Sequence, residues 1–497
     1  MYEQLINVLT DPVELGIAFG AMAMGILLGA LPGLTGPMAM ALLLGVAYTM
    51  TPEHSVTAMM LIYMGGAYGG SMSAILLNVP GAPASAATAL DGHPLAKQGL
   101  AGRTIGMVTI SSFFGSLIAV GMMAWLTPWL VKVSLLFTAW ELLLLVTLGV
   151  LIAGSLSSDD PLKGWMAGCF GLLIAQIGLD DIHMHPRFSF GSSYLEAGIG
   201  LIAAIVGLFG LSQVMLTMRP LASGAVAVAK QVKGIIPPLS ELRGRMRLVL
   251  QSGIIGTFIG VLPGLGADMG AWVSYDMAKR TSKKPELFGK GSMEGVIAAE
   301  TGNNAVVPGA LIPVIALGLP GSAGAAIIMA GLFLHGLKPG PTFLMDNYGL
   351  FEYMVAALFV GSFMLLVAGL IIGRGIVHVL RVPRENIMAV VIALAAMGSY
   401  ASKLQFNDLW MMIGFGLLAY GMRRLGYPLA PLVLGIVLGR LLDEYLRQAL
   451  MISDGSLMPL VERPICLGLM AVLSLFVIVN VRPIRRVLGR IFLPSQA

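Results

Sequence analysis

A chain of 497 residues that is 57% hydrophobic, only 11% charged and has a mean hydropathy of +0.88 lies far from soluble domains, in which about a quarter of residues are charged. The net charge of +5 does not point to nucleic acid, because the cations sit in short segments between apolar runs, where they set membrane topology. The two cysteines, Cys169 and Cys466, fall in apolar runs and read as small packing residues, which leaves no disulfide framework.

Apolar runs long enough to cross hydrocarbon begin near residue 13. Glu3, Asp11 and Glu14 precede or open the run at 13–31, so it lacks the basic start of a cleaved leader and is expected to stay as a span. It closes on Gly29-Ala30-Leu31-Pro32-Gly33-Leu34. Runs at 35–50 and 56–78 follow, the second ending in Asn78-Val79-Pro80-Gly81, a small-residue stretch and then His93 in a Gly/Pro loop. Further spans are expected at 104–127, 135–154, 163–179 and 198–218, with Glu141 beside Trp140 at the membrane interface.

A second series then repeats the first. The run at 249–278 is broken by Gly260-Val261-Leu262-Pro263-Gly264-Leu265, and the run at 296–334 is broken by Gly318-Leu319-Pro320-Gly321 ahead of His335. Spans at 353–380, 387–422 (two short ones), 427–442 and 464–481 complete the chain. The expected fold is therefore an all-α polytopic membrane protein of roughly 11–14 transmembrane segments, with broken or re-entrant helices in two related halves. The halves divide as a first repeat at 1–218, a basic loop at 219–247, a second repeat at 248–442, and a C-terminal span and tail at 443–497.

No Lys or Arg precedes Lys97, whereas Arg219, Lys230, Lys233, Arg243, Arg245 and Arg247 cluster before the second LPGL phrase, and Arg482, Arg485, Arg486 and Arg490 end the chain. Both basic segments are expected in the cytoplasm. The two halves then start on opposite faces, as an inverted repeat. The loop Lys279–Glu286 also reads as cytoplasmic, so residues 247–279 must enter and return, which suits a hairpin with the LPGL phrase near its tip.

Broken helices at membrane depth are tolerated only beside buried protein or a wet cavity, so the four breaks are expected to mark a binding site. Exposed helix amino termini offer unpaired N–H groups and partial positive charge. Gly33, Thr35, Ser71, Asn78 and Gly81 from the first half, with Gly264, Asn303, Asn304 and Gly321 from the second, are the candidates for holding substrate. Because no Lys or Arg lies within 13–96 or 291–337, an anion here is expected to rely on neutral donors, helix ends or a co-bound cation. Asp268 and Glu300 are carboxylates inside apolar runs and the candidates for ion coupling. The blander alternatives are that the small residues only let helices pack closely and that the two carboxylates sit at the membrane edge.

Asp180-Asp181-Ile182-His183-Met184-His185 has metal-ligand residue types and Asp159-Asp160 resembles half of a phosphate site, yet both fall in loops without a completing cluster. No His-Glu-x-x-His helix, Walker A loop or Gly-x-Ser-x-Gly elbow occurs. A channel, or a membrane-embedded metal enzyme built on the 180–185 cluster, are the rival readings to transport.

Seven phrases in order, Leu31-Pro32-Gly33-Leu34-Thr35-Gly36-Pro37, Tyr68-Gly69-Gly70-Ser71, Asn78-Val79-Pro80-Gly81, Asp91-Gly92-His93-Pro94, Leu262-Pro263-Gly264-Leu265-Gly266-Ala267, Glu300-Thr301-Gly302-Asn303-Asn304 and Gly318-Leu319-Pro320-Gly321, resemble the large membrane subunit (TctA type) of the tripartite tricarboxylate transporter family. The resemblance covers approximately 15–440. It implies a secondary transporter, not an enzyme, that imports citrate-like carboxylates on a Na⁺ or H⁺ gradient without a cofactor. It further implies a bacterial inner-membrane location and two partners, a small membrane subunit and a periplasmic solute-binding protein.

Overall fold

A computed structural model describes residues 2–31, 33–156, 160–180, 184–218, 234–235, 241, 243–262, 266–380, 382 and 384–480. They form helices α1 (Tyr2–Thr10), α2 (Pro12–Ala30), α3 (Gly36–Tyr48), α4 (Pro52–Leu77), α5 (Ser85–Leu95), α6 (Ala101–Ser134), α7 (Ala139–Leu156), α8 (Pro161–Ala175) and α9 (Leu201–Thr217). The series continues with α10 (Met246–Val261), α11 (Gly266–Thr281), α12 (Met293–Leu317), α13 (Ala323–Leu334), α14 (Tyr348–Val379), α15 (Arg384–Lys403), α16 (Phe406–Arg424), α17 (Leu429–Ile452) and α18 (Pro464–Asn480). Strand is limited to a two-residue pairing of Gly178–Leu179 with Pro186–Arg187 among the described residues. Four helical stretches, Pro12–Ala30, Pro52–Leu77, Ser85–Ser134 and Tyr348–Val379, are long and apolar enough to cross a bilayer, and eight more helices are apolar over 10–17 residues. The chain is an all-α polytopic membrane protein.

The breaks fall where the sequence placed them, for local reasons. Proline removes a backbone donor and disfavours helix at the residue before it. Accordingly α2 ends at Ala30 with Leu31 extended, and α10 ends at Val261 with Leu262 extended. At the second pair of breaks α4 closes on Asn78 and α12 on Gly318, both left-handed, with φ of 56° and 68°. Glycine and asparagine are the residues that accept this cap most readily.

Equivalent glycines make equivalent contacts in the two halves. A Cβ at Gly29 would strike the Gly66 carbonyl oxygen, and one at Gly260 the Val306 carbonyl oxygen. Gly81 lies against the Gly29 carbonyl just as Gly321 lies against that of Gly260. Each half is thus a broken helix (α2–α3, α10–α11) clasped by a second one (α4–α5, α12–α13). The halves exchange their last helices: α5 packs on α11 and α12, while α13 packs on α3 and α4. Such reciprocal contacts are the mark of a two-fold relation.

Helix α6 runs along α12, α14 crosses α2, α4 and α6, and α17 packs on α7, α8 and α13. Several expectations are corrected by this packing. His93 is inside α5, its ring nitrogen 3.0 Å from the Ile75 carbonyl, because the helix continues through the Gly/Pro sequence. Glu141 is buried within the protein, where Arg463 pairs with it at 2.5 Å and Cys466 donates its S–H at 3.1 Å. Cys169 is exposed.

A candidate anion site where the helix breaks meet

The four breaks converge on a cavity of about 430 Å³, within the size range of small-molecule sites. Its wall contains the amino termini of five helices: Thr35–Pro37 of α3, Ala82–Ala84 ahead of α5, Asp268 and Met269 of α11, Gly321–Ala323 at α13, and Pro428–Ala430 at α17. Helices α3 and α17 open without a side-chain cap, whereas Ser322 caps α13 by accepting the Ala325 N–H at 3.1 Å. Each helix amino terminus carries about half a positive charge. Tyr63, Phe209 and Leu434 add ring and aliphatic surface. The halves are joined across the cavity by the hydroxyls of Tyr63 and Ser322, 3.0 Å apart.

One charged lining residue was outside every sequence expectation. Arg423, at the end of α16, reaches the cavity and donates from Nη1 to Gln213 Oε1 of α9 at 2.5 Å. Gln213 in turn donates to Thr217 at 3.3 Å. Among the described residues no carboxylate pairs with Arg423, so it brings to the cavity wall a guanidinium held by an amide rather than by an ion pair. The expectation that an anion must be held without a fixed cation is therefore corrected. It failed because Arg423 lies far in sequence from all four breaks and is delivered by packing of α16 on α9. Its position one turn before a Gly-Tyr-Pro helix start, Gly426-Tyr427-Pro428, was the available signal.

Asp268 is the carboxylate in the wall, and it accepts the Ala84 N–H at 3.3 Å, tying α11 to α5. Glu300 occupies a separate buried cluster behind the cavity. It accepts hydrogen bonds from the hydroxyls of Ser71, of Thr88 at 2.5 Å and of Ser112 at 3.2 Å. Asn304 donates to Ser112 at 2.8 Å, while its own carbonyl oxygen is buried without a partner. A carboxylate surrounded by neutral oxygens is the donor set that a proton or a hard cation needs. Polar contact links the two places: Ser71 reaches both Glu300 and Ser85, and Ser85 adjoins the Ala84 N–H that holds Asp268.

The sequence candidates divide accordingly. Thr35, Asn303, Gly321 and Asp268 line the cavity. Ser71 and Asn304 belong to the Glu300 cluster. Gly33 has a φ of +91° and lies beside the Gln213 amide, near the cavity's guanidinium support. Asn78 is a helix cap and Gly81 a packing contact, so both shape the break rather than face the space. Gly264 lies outside the described residues, as do Asp159, Asp181 and His183. Asp180, from the metal-like run, is committed to Arg187 at 3.0 Å and Arg447 at 2.9 Å.

Comparison with known proteins bears on what the cavity serves. The family model described as the tripartite tricarboxylate transporter TctA family matches residues 15–434. A 52.8 kDa protein from the TAR-I ttuC′ 3′ region of Agrobacterium vitis is 34% identical over 486 residues, covering 98% of this chain and 97% of its own length. A protein from the TAR-II ttuC′ 3′ region of the same organism is 34% identical over 228 residues, 46% of this chain and 94% of its own. No solved structure matches. With the family model spanning nearly the whole of both halves, the chain belongs to the tripartite tricarboxylate transporter TctA family, a family of membrane transporter components.

Proposed function

We propose that this chain is the large permease subunit of a binding-protein-dependent secondary transporter that imports tricarboxylates or related citrate-like carboxylates on a Na⁺ or H⁺ gradient. The observation that carries this reading is the Arg423 guanidinium, which pairs with no carboxylate among the described residues, at a cavity where five helix amino termini meet. A guanidinium matches a carboxylate in planar, two-pronged geometry. The helix ends supply further donors to a second or third carboxylate, and no nucleotide motif offers another energy source.

In this account a periplasmic solute-binding protein delivers the substrate, a small membrane subunit completes the complex, and the chain lies in the bacterial inner membrane with its basic C-terminus in the cytoplasm. Glu300 takes the coupling ion, with Ser71, Thr88, Ser112 and Asn304 as oxygen neighbours. Through Ser85 and Ala84 its occupancy is felt at the Asp268 edge of the cavity. Ion and substrate carry opposite charge, so each tightens the other's binding by the same factor. The two halves, 1–218 and 248–442, act as an inverted repeat whose breaks open the site alternately to each face.

The test is uptake of labelled citrate and related carboxylates into liposomes holding the chain, its small subunit and the binding protein. Uptake that needs both the binding protein and one imposed gradient supports the proposal and names the ion. Uptake that runs only downhill and ignores both would mark a channel instead.

A further inference from the structure

A second, larger cleft of about 680 Å³ lies away from the breaks, between the start of α10 and the loop that joins α11 to α12. Its wall holds four cations, Arg245, Arg247, Lys283 and Lys284, against one carboxylate, Glu294. That carboxylate is engaged by the Ser282 hydroxyl at 2.6 Å. Arg247, Lys283 and Lys284 pair with no carboxylate among the described residues, and Arg245, shared with Glu241 at 3.9 Å, leaves its buried Nε without a partner. The wall is fixed: Asp91 Oδ1 accepts the N–H groups of Gly289, Gly291 and Ser292 at 2.8 Å each, pinning the loop to α5.

The neighbouring face of α10 identifies what fills a cleft of this charge. Met246, Leu250, Ile254 and Phe258 recur one turn apart and are 37–52% exposed, an apolar stripe that begins at the rim. Gln251 and Leu248, on the adjoining face, line the cleft itself. A ligand with an anionic head and apolar tails satisfies both surfaces, whereas a soluble anion uses only the first.

We propose that this cleft is a binding site for the phosphodiester headgroup of an anionic phospholipid, held by Arg245, Arg247, Lys283 and Lys284 with its acyl chains along Met246–Phe258. The lipid would brace the α11–α12 loop against the start of α10, at the edge of the second half.

The test is thermal unfolding of the full-length chain in detergent, titrated with phosphatidylglycerol, with phosphatidylcholine of matched chains, or with inorganic phosphate. Phosphatidylglycerol is expected to raise the unfolding midpoint saturably, and phosphatidylcholine is not. Combined Arg247→Ala, Lys283→Ala and Lys284→Ala should weaken half-saturation by about fivefold per cation. Because these side chains are exposed, the lipid-free midpoint should stay at the wild-type value. Leu250→Gln should weaken the lipid effect alone. An equal shift from inorganic phosphate would show a soluble-anion site and overturn the lipid assignment, and unchanged half-saturation in the triple variant would overturn the site.

Discussion

Two charged residues, Glu300 and Arg423, carry the proposed chemistry, and they were unequally legible. Glu300 stood out in sequence because a carboxylate inside an apolar run is expensive unless it is served. The structure supplies that service from three elements, α4 (Ser71), α5 (Thr88) and α6 (Ser112). Spacing along the chain cannot show such a gathering. Glu300→Gln keeps the shape but removes the charge, so an imposed ion gradient should cease to accelerate uptake while substrate exchange between the two sides persists. Gradient-driven uptake at the wild-type rate in that variant would remove Glu300 from coupling. Glu300→Ala should instead destabilise, because each abandoned buried hydroxyl costs about 1–3 kcal/mol.

At the scale of elements, the breaks and the helices they end were readable from Pro and Gly placement, as the matching ends of α2 with α10 and of α4 with α12 confirm. The glycines within the spans carry more than the break: they let each broken helix press its backbone on the next. Gly29→Ala and Gly260→Ala both drive a methyl into a carbonyl oxygen of the clasping helix. Each should cost about 1–3 kcal/mol and lower the unfolding midpoint, the usual penalty of overpacking. Gly121 in α6 has open space around it, so Gly121→Ala should hold or gain about 0.5–1 kcal/mol from helix propensity. Equal effects at all three positions in a thermal-unfolding series would deny the glycine contacts their role. Helices can also run through apparent punctuation, as α5 does past Gly92 to Leu95 around His93, where packing rather than local propensity decides.

For the whole molecule, repetition of the LPGL and PG phrases revealed two halves, but only the packing shows that they exchange their last helices. The cavity exists because of that exchange: α5 from one half and α13 from the other bring their amino termini to the same space. An inverted arrangement places the loop before α4 and the loop before α12 on opposite faces. In a background with Cys169 and Cys466 replaced by alanine, Glu53→Cys should react with an impermeant maleimide from the periplasmic side and Lys283→Cys only from the cytoplasmic side. Labelling of both from one side would make the repeat parallel.

If the cavity is the carboxylate site, Arg423 is the group whose removal shows it most directly. Its neighbours give it one amide contact and no ion pair among the described residues, so truncation should leave the fold intact. Charge-assisted hydrogen bonds contribute about 1.5–3 kcal/mol each, so Arg423→Ala should weaken carboxylate binding by about tenfold to a hundredfold, with Arg423→Lys in between. The measurement is equilibrium binding of labelled citrate and related carboxylates to the reconstituted complex, wild type against Arg423→Ala, at matched protein and unfolding midpoint. Loss of affinity in that range is the predicted result, and undiminished carboxylate affinity in a folded Arg423→Ala complex would contradict the assignment of this cavity as the site.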